Sequence, residues 1–394
     1  MKKLLILAAM AGVALVSCVK NEPAPSVTDQ QEITFAPPVV GVNTRSVDLV
    51  TTANITGSFS VYGYYHPSEY PGFDNEATYT YMENVEVTKD DDFYEDQNGT
   101  KYPSWVTSPT NDYYWPKTGK MTFVAYYPSL TNTTNESLDN YVAHTINGIQ
   151  FKNYVVGDKA DVDLMFSDRA YDQTKATNEK LNTPSNYYGV ELSFKHALSA
   201  IRFKFKAASD LVDNNGGPKY TFVVQEVVLK NVHSKGNFNQ GLNESGNAKA
   251  STGVAATTDW STNTIRNYTA YSGDGLTINS TDLVASYDVA DGKTNGANLI
   301  LLPQTLEHDG TDGTVTVQVK YKLKHDKMET DKWIENNYVE AELSPNAIES
   351  WLRGNIYTYN ITLNLDKIEF APKVDEWIDS QSAEVTVENQ VTNP

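Results

Sequence analysis

The chain has 394 residues, and its 50 acidic residues outnumber 31 basic ones to leave a formal net charge of −19. That length suffices for two ordinary domains, and the charge repels nucleic acid and anionic membrane surfaces, so nucleic acid is excluded as a partner. With a single cysteine no intramolecular disulfide can form, and stability must come from packing.

In chain order, residues 1–17 read as an export signal. Lys2 and Lys3 give a positive start, and Leu4 to Val16 form an apolar run of signal length, too short to span a bilayer. Leu15-Val16-Ser17-Cys18 resembles the lipobox of bacterial lipoproteins, which implies cleavage before Cys18 and a diacylglycerol on its sulfur. Residues 19–31 are polar and proline-containing, a tether. In EITFAPPVV, Ile33 and Phe35 alternate with polar neighbours, and Pro37-Pro38 then stops regular pairing. GSFSVYGYYHP, DYYWP and GKMTFVAYYPS read as further short strands, and Lys89–Thr100 as an acidic loop whose Asp90, Asp92, Glu95 and Asp96 miss the EF-hand spacing. A domain boundary is expected between residues 187 and 188.

The second half alternates more clearly. Val190, Leu192 and Phe194 in VELSF, and Ile201, Phe203 and Phe205 in IRFKFK, define half-buried strands. YTFVVQEVVLKNV switches its inward register, as a bulge would require. Asn231–Ser280 is rich in Gly, Asn, Ser and Thr and reads as long loops around short strands. TVTVQVKYKL sets Val315, Val317, Val319, Tyr321 and Leu323 on one face, and YTYNITLNLDKIEF does the same with Tyr357, Tyr359, Ile361, Leu363 and Leu365. SPNAIESW alone looks helical, with Ser344 as N-cap and Pro345 at N1. SAEVTVENQ is a last, short alternating segment. The class is all-β, a β-sandwich protein.

Chemistry-bearing patterns are sparse. The six histidines include no HExxH and no close pair, so no metal site or cofactor is expected, and GxSxG, P-loop and strand-linked GxGxxG motifs are missing. His196, in FKHALSAI, reads as a structural histidine at a turn, and an enzyme is not expected. Six tryptophans and 25 tyrosines raise an alternative, a glycan-binding outer-membrane surface lipoprotein with rings stacked on sugars, although Trp115 and Trp377 sit where core packing is the simpler reading.

DYYWPKTGKMTFVAYYP, DVDLMFSDRAYD, VELSFKHALSAIRFKFK, NLILLPQTL and WLRGNIYTYNITLNLDKIEFAPKVDEWID follow one another in the order seen in the fimbrillin family, and the whole chain from the lipobox onward resembles it. The resemblance implies two tandem transthyretin-like β-sandwiches, export as a lipoprotein to the outer membrane, and assembly with other copies or related subunits into surface fimbriae that support adhesion and biofilm formation, with a host or bacterial surface receptor as a further partner. It also implies an arginine-specific protease cut, matched here by Arg45-Ser46 in VNTRSVD, which distinguishes a stalk subunit from an anchor that keeps its lipid; a tip subunit is the other alternative. The expected layout is a signal peptide at 1–17, a lipidated tether and removable strand (Ile33, Phe35) at 18–45, one sandwich at 46–187, and another at 188–394 ending in a donor strand built on Ala383, Val385 and Val387.

Overall fold

The computed structural model describes residues 27–36, 38–40, 55, 57–67, 79–95, 101–107, 113–129, 142–146, 148–178, 189–212, 219–240, 260–286, 298–308, 312–329, 332–343, 348–365 and 368–376. Strands of the amino-terminal part are β1 (Val27–Glu32), β2 (Val39–Val40), β3 (Ser58–His66), β4 (Tyr79–Glu95), β5 (Lys101–Thr107), β6 (Tyr114–Pro116), β7 (Lys120–Tyr127), β8 (Val142–Thr145), β9 (Gly148–Val155), β10 (Met165–Ser167) and β11 (Ala170–Gln173). After a one-turn helix (Lys175–Asn178) come β12 (Ser193–His196), β13 (Ser199–Ala207), β14 (Tyr220–Asn239), β15 (Trp260–Ile278), β16 (Val284–Ala285), β17 (Leu299–Leu301) and β18 (Gln304–Thr305). The last are β19 (Thr316–His325), β20 (Ile334–Glu342), β21 (Ser350–Trp351), β22 (Asn355–Leu363) and β23 (Ile368–Glu376). The expected class is the observed one: an all-β chain folded as two sandwich-like halves.

The first half is built on an eight-stranded sheet in the order β2-β12-β10-β7-β3-β4-β5, with β11 beside β7. Its central strands are covered on both faces. Phe59, Val61, Phe123 and Ala125 enter one core, while Tyr62, Tyr64, Val124 and Tyr126 enter the other. That is why β3 and β7 read as nearly unbroken apolar runs instead of clean alternations.

The second half packs a five-stranded sheet, β16-β13-β22-β23 with β17 beside β13, against a six-stranded one, β20-β19-β14-β9-β8 with β15 beside β14. Phe203, Phe205, Tyr359 and Ile361 share a core with Val317, Val319, Phe222 and Val224. The residues that alternate inward in IRFKFK and TVTVQVKYKL are the buried ones, and the expected bulge lies between Val224 and Glu226. Of the YTYNITLNL set only Leu365, beyond the end of β22, is exposed.

The halves interlock. β14 pairs with β19 over residues 220–230 and with β9 over residues 235–239, and near its far end Phe238 meets Phe166 of β10 in the first sheet, with ring centroids 4.9 Å apart. The expected boundary at 187/188 lies outside the described residues. β12 follows it in the chain and pairs with β10 and β2 of the first sheet, and the chain passes to the second half between His196 and Ser199. There His196 is buried as a turn histidine, its Nδ1 3.0 Å from Oδ1 of the buried Asp163. Burial pushes the Asp163 carboxyl up, against the downward pull of the imidazole.

Three local readings are corrected. The acidic stretch from Lys89 is a strand through Glu95, because β4 continues past β3 as a two-stranded arm with β5 and both faces of such an arm tolerate charge. Asn231–Ser280 holds all of β15 and much of its long ladder with β14, whose polar side chains face water and whose register shift between Leu229 and Val232 is absorbed around Asn231, with positive φ. In SPNAIESW, where residues 344–347 lie outside the described ones, Ser350–Trp351 is strand: Trp351 is fully buried against β18 and its Nε1 donates to Tyr359 Oη at 2.9 Å, and that burial outweighs weak helical propensity.

Candidate strand-acceptor groove

The segment 33–40 lies between the two edges of the first sheet. On one side Phe35 exchanges both backbone hydrogen bonds with Trp105 of β5, N to O at 2.8 Å and O to N at 2.9 Å. On the other, the Val190 N–H donates to Thr34 O at 2.8 Å and the Ala36 N–H donates to Val190 O at 2.9 Å. Further along, β2 pairs parallel with β12. Ile33 N–H donates to Tyr113 O at 2.7 Å, and the Ser104 hydroxyl adds a bond to Phe35 O at 3.3 Å. A strand bonded on both sides closes a curled sheet that would otherwise present two open edges.

Side chains fill the same gap. Phe35 is fully buried and meets Phe59 and Phe123 edge-on, with ring centroids 5.8 and 5.5 Å away. Ile33 and Val40 are buried in the same cluster with Trp105, Trp115 and Phe194. Gly189 makes the close approach possible: its φ is +116, a conformation only glycine adopts easily, and a Cβ there would lie 2.4 Å from the backbone carbonyl of Thr34. Beside the entry, Tyr81 Oη donates to Tyr114 O at 3.2 Å and accepts from Tyr114 N–H at 3.3 Å, while burial and the neighbouring Tyr81 push the Tyr113 hydroxyl up.

Of the residues singled out from sequence, Ile33 and Phe35 are thus in the groove. Cys18, Arg45, Ser46, Trp377, Ala383, Val385 and Val387 lie outside the described residues. The sequence reading missed the groove's own walls, Trp105, Gly189 and Val190. A glycine just ahead of the alternating VELSF is the signal that pointed to them. Trp105, Trp115, Trp260 and Trp351 are all buried, which removes them from any sugar-stacking surface.

A family model described as fimbrillin-like matches residues 70–377. The chain belongs to the fimbrillin-like family. Among solved structures, a fimbrial protein from Bacteroides vulgatus aligns at a TM-score of 0.51 and 17% identity, over 87% of this chain and 99% of that chain. A putative cell adhesion protein from Bacteroides uniformis aligns at 0.46 and 15%, over 88% and 97%. The tip fimbrial protein Mfa3 from Porphyromonas gingivalis aligns at 0.35 and 10%, over 88% and 100%. No curated protein matches the sequence. The likeness to the Bacteroides vulgatus protein is one of fold; membership of the fimbrillin-like family is what makes this chain a fimbrial, cell-surface protein that assembles with related subunits.

Proposed function

We propose that this fimbrillin-like chain is a stalk subunit that polymerises by strand exchange. The precursor travels to the outer membrane on a lipid at Cys18, an arginine-specific protease cuts between Arg45 and Ser46, and residues 18–45 leave with the strand that contains Ile33 and Phe35. The vacated groove then takes the strand of Ala383, Val385 and Val387 from another copy, whose small apolar residues point inward while Glu384, Thr386 and Glu388 face water. Each copy has a groove at one end and a donor at the other, so the contact is heterologous and grows a filament. The role is structural, not enzymatic, and supports adhesion and biofilm formation.

The observation that carries this reading is the double backbone pairing of Phe35, to Trp105 on one side and around Val190 on the other. Such a strand is separable from the fold by one cut, and its loss leaves an apolar slot lined by unpaired N–H and C=O groups. The test replaces Val385 and Val387 with Asp, which places charge in an apolar slot. A folded, processed monomer that no longer forms multimer ladders is the expected outcome; filaments equal to those of the parent would refute the donor assignment. Arg45→Ala should leave residues 33–40 in place and block assembly, read from the amino terminus and mass of the chain recovered from the cell surface.

A further inference from the structure

The outer face of β19 carries a row of lysines. Lys320, Lys322 and Lys324 alternate with the buried Val319, Tyr321 and Leu323, so their ammonium groups stand on one side of the sheet, spread over about 14 Å. Lys322 and Lys324 both lie 4.9 Å from the Trp333 ring centre, and Lys320 lies 5.7 Å from that of Tyr338. Lys322 reaches Glu335 at 4.0 Å; among the described residues neither Lys320 nor Lys324 has a carboxylate within that distance. The row borders β20, which pairs only with β19 among the described residues and exposes Ile334 and Tyr338. The row thus carries three cations with one long carboxylate contact at Glu335, while Glu226 of β14 stands opposite Lys320 in the register.

The counterpart is in the first half. Pairing of β4 with β3 ends at Thr88, whereas pairing with β5 runs on to Glu95, so a two-stranded arm of about 20 Å leaves the sheet. Its sequence after Lys89 is DDDFYE; Asp91 is exposed and is ion-paired with Lys89, which leaves the stretch acidic by net charge. The arm springs from Trp105, the residue that pairs with Phe35, and therefore stands at the rim of the groove.

We propose that in the filament the acidic β4–β5 arm of the accepting copy docks on the lysine row of the copy that donates its strand. This inference rests on the strand-exchange reading: a donor strand at 383–387 brings the second half of its own copy to the rim where the arm stands. Two copies that repel as wholes are oriented by the one place where their charges match, which acts mainly on encounter rate and on rejection of wrong approaches.

The test compares processed parent chain with the triple variant Lys320→Glu, Lys322→Glu, Lys324→Glu, following filament growth by light scattering at low and high salt. The variant should grow slower by on the order of tenfold at low salt and lose the parent's salt dependence. Adding Asp90→Lys, Asp91→Lys and Asp92→Lys to the same chain should restore growth. A milder triple Lys→Gln variant guards against misfolding, checked by its circular dichroism and melting curve. Contact is read independently of growth by mixing processed Asp91→Cys chains with processed Lys322→Cys chains, which no longer carry Cys18, and looking for a mixed disulfide. A parent that polymerises while the triple variant grows equally fast and no mixed disulfide forms overturns the arm contact and leaves strand exchange standing. A variant that grows like the parent yet loses retention on an acidic polysaccharide column assigns the row to glycan and also overturns it. A processed parent that never polymerises removes the strand-exchange reading and this inference together.

Discussion

The two halves are closed by different means. In the second, β13 lies between β22 and the short strands β16 and β17, and β22 is paired over Ile356–Leu363 with β13 on one side and along its whole length with β23 on the other. In the first, the gap between β5 and β12 is filled by residues 33–40, a segment near the amino terminus that is held by backbone pairs and by Phe35. Equal burial therefore conceals unequal attachment: the gap of the first half is filled by one short segment, whereas the central strands β13 and β22 of the second are paired with each other over eight residues.

The largest expected effect separates them outright. A chain beginning at Ser46 should lose amide protection at Trp105 and Val190 and bind a hydrophobic dye, while protection in β13 and β22 stays as in the full chain; protection unchanged in the first half would break the comparison. Next, Phe35→Ala and Phe203→Ala should each cost about 3–5 kcal/mol in the full chain, since each empties a fully buried site. The chain beginning at Ser46 lacks residue 35, so there only the Phe203→Ala penalty can persist, and denaturant titration of that chain with and without Phe203→Ala, beside the two full-length variants, reads the difference.

Smaller is the effect of Gly189→Ala. A Cβ against the Thr34 backbone, at a φ of +116, should cost about 1–3 kcal/mol and loosen residues 33–40 selectively, seen as faster hydrogen exchange there with little change around β22. Smallest is a dependence on pH shared by both halves. Burial lowers the affinity of His144 for its proton, packed on Tyr62 in the first half, and burial together with the stacked His308 does the same for His233 in the second. The unfolded chain then binds the extra protons, so stability is full above the ordinary histidine value near 6.5 and falls as pH drops through it towards the lowered folded values. Melting temperature followed from pH 7.5 to 5 should decline, and His144→Asn or His233→Asn should each flatten the decline.

How much of this the residues disclosed depends on how local the cause is. β19 and β22 were legible because one wet face and one buried face write themselves as period-two alternation. The Val224–Glu226 bulge was legible for the same reason, as a break in that period. The groove was only half legible: Ile33 and Phe35 stand out as a short strand, but their partners Trp105 and Val190 come from distant parts of the chain, and no pattern within a window announces such pairing. Lys89–Glu95 misled because acidity was taken for a loop, when a projecting two-stranded arm has no core face to keep apolar. Trp351 misled because helix signals nearby are weak beside the burial of one indole.

β14 has a mechanical consequence. Its 20 residues, about 65 Å of extended backbone, run without interruption from the ladder with β19 to the ladder with β9, and β15 accompanies it for most of that length. Tension directed along this strand would run the length of the six-stranded sheet through covalent backbone, with the flanking ladder bonds lying across the pull and sharing it in parallel instead of opening one after another. Within the six-stranded sheet the load path is thus a continuous cable.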